Sequence, residues 1–265
     1  MTASSSFTAT DGAAYEQVMG RWSRRLAEPF LDFAGPVAGD CLDLGCGTGS
    51  LTAAILRRSA EARVTGIDFS PAYVAHAQAS PDTRGAEFRV GDACALQFPD
   101  GSFDRTLSLL MLHFVPRAAD AVAEIRRVTR PGGIAAATVW DPRGGMVANR
   151  LFFDTAAMFD PAADRLRAQN YVRPMTRPGE LAAAWRAAGF LEVAEAYLTI
   201  RMEFAGFDDF WRPYLTGQGT AYVAGLDPTT RDRLMEHVRR AYLDGDPDGP
   251  RAYACSAWAV RGVAP

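Results

Sequence analysis

Leu42-Asp43-Leu44-Gly45-Cys46-Gly47-Thr48-Gly49 sets three glycines at alternate positions directly after a short apolar run. Glycine lets a backbone approach a ligand where a Cβ would clash. A helix that opens just after such a turn points its free N–H groups at whatever sits there. Asp68 ends a second apolar run, in Gly66-Ile67-Asp68-Phe69-Ser70. A carboxylate in that position accepts hydrogen bonds from the hydroxyls of a ribose. Asp92 ends a third run, in Gly91-Asp92-Ala93-Cys94. There a carboxylate can accept from the amino group of an adenine, and Phe69 can cover the adenine face. Each signal alone is as well explained by a plain turn or a capping carboxylate. Three in order, each after a strand, point to a nucleoside-containing ligand.

The dinucleotide fingerprint is GxGxxG. Gly45 and Gly47 fit its first two positions, but Ser50 stands at the third. The third glycine allows close helix–strand packing beside a pyrophosphate, so its absence counts against NAD and FAD.

Composition removes other chemistries. The 265 residues carry 28 basic side chains, every one an arginine. A chain without lysine has no Schiff-base lysine and no P-loop lysine. With 31 acidic residues the net charge is −3, which gives no global attraction for nucleic acid. Cys41, Cys46, Cys94 and Cys255 form no CxxC and no zinc spacing, so no metal centre is expected and a reducing cytoplasm fits. No run approaches the ~20 apolar residues of a membrane span. The polar start, Met1 to Asp11, reads as a loose tail rather than a signal peptide.

These residues need strands to carry them. Strand patterns at 40–44, 63–67, 87–90, 103–110 and 134–140 alternate with helical patterns at 51–58, from Pro71 onward and at 117–129. Strands alternating with helices imply βαβ units and a mostly parallel sheet. Pro131-Gly132-Gly133 is expected to end the last of these helices. A further helix is expected at 13–33, where Tyr15, Val18, Met19, Trp22 and Leu26 share a face. Beyond Trp140 the rhythm changes to helices at 146–171, 180–188, 207–215 and 227–243, with strands at 191–204 and 252–263. Gly144-Gly145 and Gly217-Gln218-Gly219 would permit hinges.

With LDLGCGTG at 42–49, GIDFS at 66–70, VGDACALQFPDGSFD at 90–104 and EIRRVTRPGG at 124–133, the chain resembles the class I S-adenosylmethionine (SAM) dependent methyltransferases of the ubiquinone/menaquinone-methyltransferase-like branch. The resemblance covers about residues 38–140. It implies a Rossmann-like α/β fold, with a doubly wound sheet of seven strands ordered 3-2-1-4-5-7-6, the last strand antiparallel. It implies one methyltransferase domain over 1–265, with a cofactor half at about 36–142 and lid elements at about 13–34, 143–175 and 205–250. It implies SAM as cofactor and S-adenosylhomocysteine as product. By the same resemblance, Gly45, Gly47 and Gly49 face the methionine part and ribose, and Asp68 holds the ribose hydroxyls. Phe69, Asp92 and the Ala93 N–H meet the adenine, and Leu109 and Met111 the methionine moiety. GRWSR at 20–24 after Tyr15 is similar to the family's cofactor-covering helix, which makes Tyr15 and Arg21 candidates for the SAM carboxylate.

Methyl transfer is an in-line displacement in which alignment can supply ~7–11 kcal/mol of barrier reduction, so a base is optional. His113 follows the fourth strand, and an imidazole of ordinary pKa about 6.5 suits proton abstraction near neutral pH; the competing reading is a packing histidine. Trp22, Trp140, Tyr171 and Trp211 are candidates to contact a small acceptor methylated at oxygen or carbon. The loop after the fourth strand lacks the Pro-Pro pair of exocyclic-amine DNA methyltransferases. Two alternatives stay open: a catalytically silent SAM-binding module and a nucleotide-dependent oxidoreductase.

Overall fold

The computed structural model describes residues 12–216 and 220–265; the expectations for Met1 to Asp11 and for Gly217-Gln218-Gly219 lie outside them. The helices are α1 Gly12–Tyr15, α2 Arg21–Ala34, α3 Ser50–Arg58, α4 Pro71–Ala79, α5 Ala118–Val128, α6 Val147–Ala157, α7 Pro161–Tyr171, α8 Glu180–Ala187, α9 Phe207–Thr216, α10 Thr220–Ala224 and α11 Pro228–Leu243. The strands are β1 Gly39–Leu44, β2 Ala62–Asp68, β3 Glu87–Val90, β4 Phe103–Leu109, β5 Thr129–Trp140, β6 Leu191–Phe204 and β7 Arg251–Val263. A π-helical segment, Glu16–Gly20, joins α1 to α2.

The seven strands form one sheet in the order β3-β2-β1-β4-β5-β7-β6. β1 to β5 pair in parallel, and β7 runs antiparallel to β5. The expected order and the expected antiparallel strand are both met. The order reverses between β1 and β4, so the crevice beyond their carboxyl ends is where such a sheet takes a ligand.

By its internal contacts the chain forms two compact units. The first comprises the residues up to Trp140 with Pro174–Leu198 and Ala257–Pro265; the second comprises Asp141–Arg173 and Thr199–Ser256. In the first, Leu42 and Leu44 of β1 and Ala135, Ala137 and Val139 of β5 share a core with Val122, Ile125 and Val128 of α5 and Trp185 of α8. That is the period-2 face of each strand meeting the period-3.6 stripe of each helix. The Trp185 indole N–H donates to the Ala135 carbonyl at 3.3 Å. The second has an aromatic core. Phe152 stacks on Tyr214 with ring centroids 3.8 Å apart, and Phe210 packs on Tyr242 and Tyr253.

One local expectation is corrected. Pro131-Gly132-Gly133 does not stop α5, which ends at Val128; it lies inside β5. The register against β4 shifts there, from Phe103 opposite Thr129 to Arg105 opposite Ile134. Gly132 takes φ +75°, and Pro and Gly within a strand mark such a bulge as readily as they mark a helix end.

Candidate active site

The glycine turn leaves β1 and is tied at once to the neighbouring strand. The N–H groups of Gly45 and Cys46 both donate to the Ile67 carbonyl, at 2.7 and 2.9 Å. Gly45 takes φ +74°. A Cβ there would lie 2.2 Å from Cγ of Met111. The position therefore demands glycine twice, for its backbone and for the close approach of Met111. Gly45→Ala is expected to lower unfolding free energy by roughly 1–3 kcal/mol, read as a lower urea midpoint with an unchanged slope. A midpoint within error of the wild-type would show that Met111 moves aside freely.

Asp68 closes the turn from the other side. Its Oδ2 accepts the Gly47 N–H at 2.9 Å and its Oδ1 the Ser70 N–H at 2.8 Å. Burial pushes this carboxyl above its ordinary value, against the pull of those two N–H groups. Phe69 beside it is 55% exposed, an unusual position for a phenylalanine that only packs. Ser70 caps α4, its hydroxyl accepting the Tyr73 N–H at 3.3 Å. The Gly91 N–H donates to the Asp68 carbonyl at 3.0 Å, which locks the ends of β2 and β3 together. Asp92 follows, its Oδ1 accepting the Cys94 N–H at 2.9 Å; Ala93 lies inside that turn. The structure thus gathers the glycine turn, Asp68, Phe69 and Asp92 at the carboxyl edge of β1, β2 and β3.

β4 leads to three more of the candidate residues, Leu109, Met111 and His113. Leu109 ends the strand and Leu110 takes φ +63°. A left-handed leucine costs on the order of 1–3 kcal/mol and persists only where its surroundings hold it. Its N–H donates to the Thr138 carbonyl at 2.9 Å. The kink aims Met111 at Gly45. His113 follows in a short 3-10 turn, 4% exposed, its ring 4.0 Å from that of Phe114. It is a buried histidine beside the end of β4.

The N-terminal helices supply Tyr15, whose hydroxyl lies 3.2 Å from the Ser23 hydroxyl and whose ring lies 5.2 Å from Tyr73. Burial pushes its phenol up, and the Asp68 charge adds to that. The Arg21 guanidinium lies 4.3 Å from the Trp22 ring centroid. Trp22 and Trp140 are buried in the first unit. Tyr171 and Trp211 belong to the second, where Trp211 lies 5.9 Å from Phe152 and the Tyr171 carbonyl accepts from Arg143.

Two residues that bond to the glycine turn and its strand escaped the sequence reading. Glu16 accepts from the Thr48 hydroxyl of the glycine turn and pairs with Arg24; nothing in its local sequence announces a partner so far along the chain. Asp43 is fully buried, with the Thr52 hydroxyl donating to its Oδ2 at 2.7 Å, and burial pushes it up to about 7. Its other oxygen has no partner among the described residues. An acid inside the apolar run before the turn was the available signal.

Among the described residues, no group of three or more His, Cys, Asp or Glu side chains could hold a metal ion. No described helix is long and apolar enough to cross a membrane.

A methyltransferase-domain family matches residues 42–137, which spans the glycine turn, Asp68, Asp92 and His113. The chain is 33% identical to 2-methyl-6-phytyl-1,4-hydroquinone methyltransferase of Synechocystis, over 67% of this chain and 55% of that one. It thus spans about half the length of that relative. It is 31% identical to nocamycin O-methyltransferase of Saccharothrix syringae, over 69% of this chain and 70% of that one. Among solved structures, Haemonchus contortus phosphoethanolamine N-methyltransferase 2, in complex with S-adenosyl-L-methionine, superposes with a TM-score of 0.58 at 17% identity, covering 96% of this chain and 56% of that one. At that identity the likeness is one of fold.

Proposed function

Because the chain belongs to the class I SAM-dependent methyltransferases, in the branch of the ubiquinone and menaquinone methyltransferases, we propose that it methylates a small organic acceptor at oxygen or carbon. The observation that carries this reading is the Asp68 carboxylate fastened to the Gly47 N–H at the carboxyl end of β2, beside an exposed Phe69. Each Asp68 oxygen accepts one N–H, and a carboxylate oxygen has a second lone-pair site. Both remain able to accept a ribose hydroxyl, so the residues present fit the cofactor.

Gly45, Gly47 and Gly49 would hold the methionine part and ribose, with Leu109, Met111, Tyr15 and Arg21 around the methionine end. Phe69, Asp92 and the Ala93 N–H would hold the adenine. The bound cofactor supplies a methyl group activated by a sulfonium centre. The protein's own share is to orient the acceptor, exclude water and, for a phenolic or acidic acceptor, take its proton. His113 is the proposed base, and Trp22 and Trp140 the proposed acceptor contacts of the first unit. Oxygen or carbon is favoured over nitrogen by the names of the sequence relatives, a hydroquinone methyltransferase and an O-methyltransferase.

Calorimetric titration with SAM, S-adenosylhomocysteine and NADH tests the cofactor. Micromolar binding of the first two and none of the third is expected. Binding of NADH alone would replace this reading with the oxidoreductase one. Once an acceptor is found by screening hydroquinones, phenols and carboxylic acids, His113→Ala is expected to lower kcat about 100-fold and leave the SAM Kd within about twofold. An unchanged kcat would return His113 to a packing role.

A further inference from the structure

We propose that Arg127 and Glu124 of α5 are positioning residues that hold the loop carrying Asp92, and through that loop set the affinity for the adenosyl cofactor. The inference rests on the cofactor reading above. Between the end of β3 at Val90 and the start of β4 at Phe103 the chain has no helix or strand. A structureless connection of that length is uncommon in a compact fold unless it is functional or held from outside.

Here it is held from outside, by side chains of α5 and, at Gly101, by Arg130 of β5. Arg127 lies in the last turn of α5. Its Nε and Nη2 donate to Oε1 and Oε2 of Glu124 at 2.7 and 2.8 Å. Its Nη1 donates to the Phe98 carbonyl at 2.7 Å and to Asp100 Oδ1 at 2.8 Å. Its Nη2 also donates to the Leu96 carbonyl at 2.9 Å. Glu124 Oε2 accepts the Leu96 N–H at 2.7 Å, and the Arg127 carbonyl accepts the Gly101 N–H at 2.9 Å. One guanidinium–carboxylate pair thus reaches Leu96, Phe98 and Asp100 in turn.

The clamp is coupled to the reading group by a short, bonded link. The Ala95 N–H donates to the Asp92 carbonyl at 3.1 Å and the Cys94 N–H to its Oδ1 at 2.9 Å. The turn that orients Asp92 therefore ends one residue before the clamped Leu96. At the other end of α5, Arg117 lies 3.9 Å from Asp92 Oδ2, and its carbonyl accepts from the Cys94 thiol. α5 holds the loop at both of its own ends. A planar five-donor fork is required for this set of acceptors, and an ammonium cannot reproduce it.

The probe is S-adenosylhomocysteine, titrated into wild-type, Arg127→Ala, Arg127→Lys, Asp92→Ala and the Arg127→Ala/Asp92→Ala double variant. Arg127→Ala is expected to raise Kd about tenfold and Arg127→Lys about threefold. On the Asp92→Ala background, Arg127→Ala is expected to change Kd less than twofold, because the loop no longer presents a carboxylate. Backbone amides of residues 93–101 are expected to exchange faster with solvent in Arg127→Ala. A purely structural role would lower Tm and leave the Kd of the folded variant where it was, or raise it equally on both backgrounds; either result overturns the proposal. If Arg127→Ala does not fold, Glu124→Gln keeps an acceptor for Leu96 but loses the charge. It carries the same cycle with an expected threefold effect. A wild-type protein that binds no S-adenosylhomocysteine would overturn the cofactor reading, and this inference with it. A wild-type that binds while Arg127→Ala binds equally well would overturn only this inference.

Discussion

Asp68→Ala is expected to weaken SAM binding about 100-fold in titration calorimetry. Hydrogen bonds to a charged partner contribute about 1.5–3 kcal/mol each, and about 1.4 kcal/mol is tenfold in affinity. On the proposed cofactor placement, two ribose hydroxyls lose their acceptor in this variant. The protein side loses as well, because the same carboxylate holds the Gly47 and Ser70 N–H groups at 2.9 and 2.8 Å. The turn must then be ordered at the moment of binding, and that ordering entropy opposes it. Asp68→Asn keeps the shape and one acceptor oxygen, and an intermediate loss of about tenfold is expected. The pair of variants also carries a pH signature. Burial holds Asp68 above the ordinary carboxylate value, so wild-type affinity should begin to fall at a higher pH than an exposed aspartate would give as the solution is acidified. Asp68→Asn should lack that fall. A loss below threefold in Asp68→Ala would move the site away from the end of β2.

What the sequence disclosed and what it hid follow one physical division. The positions of Gly45, Gly47, Asp68 and Asp92 at the ends of β1, β2 and β3 were legible because an apolar run precedes each. The alternation of apolar runs carried β1 to β5, and the structure has a strand at each, with β5 beginning at Thr129 rather than at Ile134. Pro131-Gly132-Gly133 was misread because the same residues end a helix or bulge a strand, and only the pairing of β4 with β5 decides between the two. Leu110 was invisible: a leucine at φ +63° has no sequence signature. Glu16 and Arg127 were hidden for another reason. Their partners, Thr48 and the loop at 96–100, lie far along the chain, and in a chain whose 28 basic residues are all arginine composition does not single one out. Two boundaries of the compact units fall within the strand patterns of β6 and β7, where no shift in composition marks them, while the boundary after Trp140 coincides with the change of rhythm there.

Asp43→Asn is expected to remove a pH dependence of stability worth roughly 4 kcal/mol. The wild-type carboxyl is fully buried and pushed up to about 7 from an ordinary 3.8, with burial as the dominant cause and the Thr52 hydroxyl pulling the other way. Its folded value is above its unfolded one, so between the two the folded protein binds the extra proton. The stabilisation is therefore complete below about pH 4 and is lost as pH rises through about 7, at about 1.4 kcal/mol per unit. This is the opposite sense to Glu124, whose Arg127 partner holds it below the usual range and whose contribution is lost on acidification. The two senses overlap in the whole-protein profile, so the wild-type must be compared with the variant at each pH. The difference in urea-unfolding free energy, wild-type minus Asp43→Asn, should fall steadily from pH 4 to about 7 and then level. Thr52→Val removes the hydroxyl donor and should carry the fall to higher pH. Parallel wild-type and Asp43→Asn profiles would mean that this carboxyl ionises freely where it stands. The strand that launches the glycine turn would then carry an ordinary charge rather than a proton near neutrality.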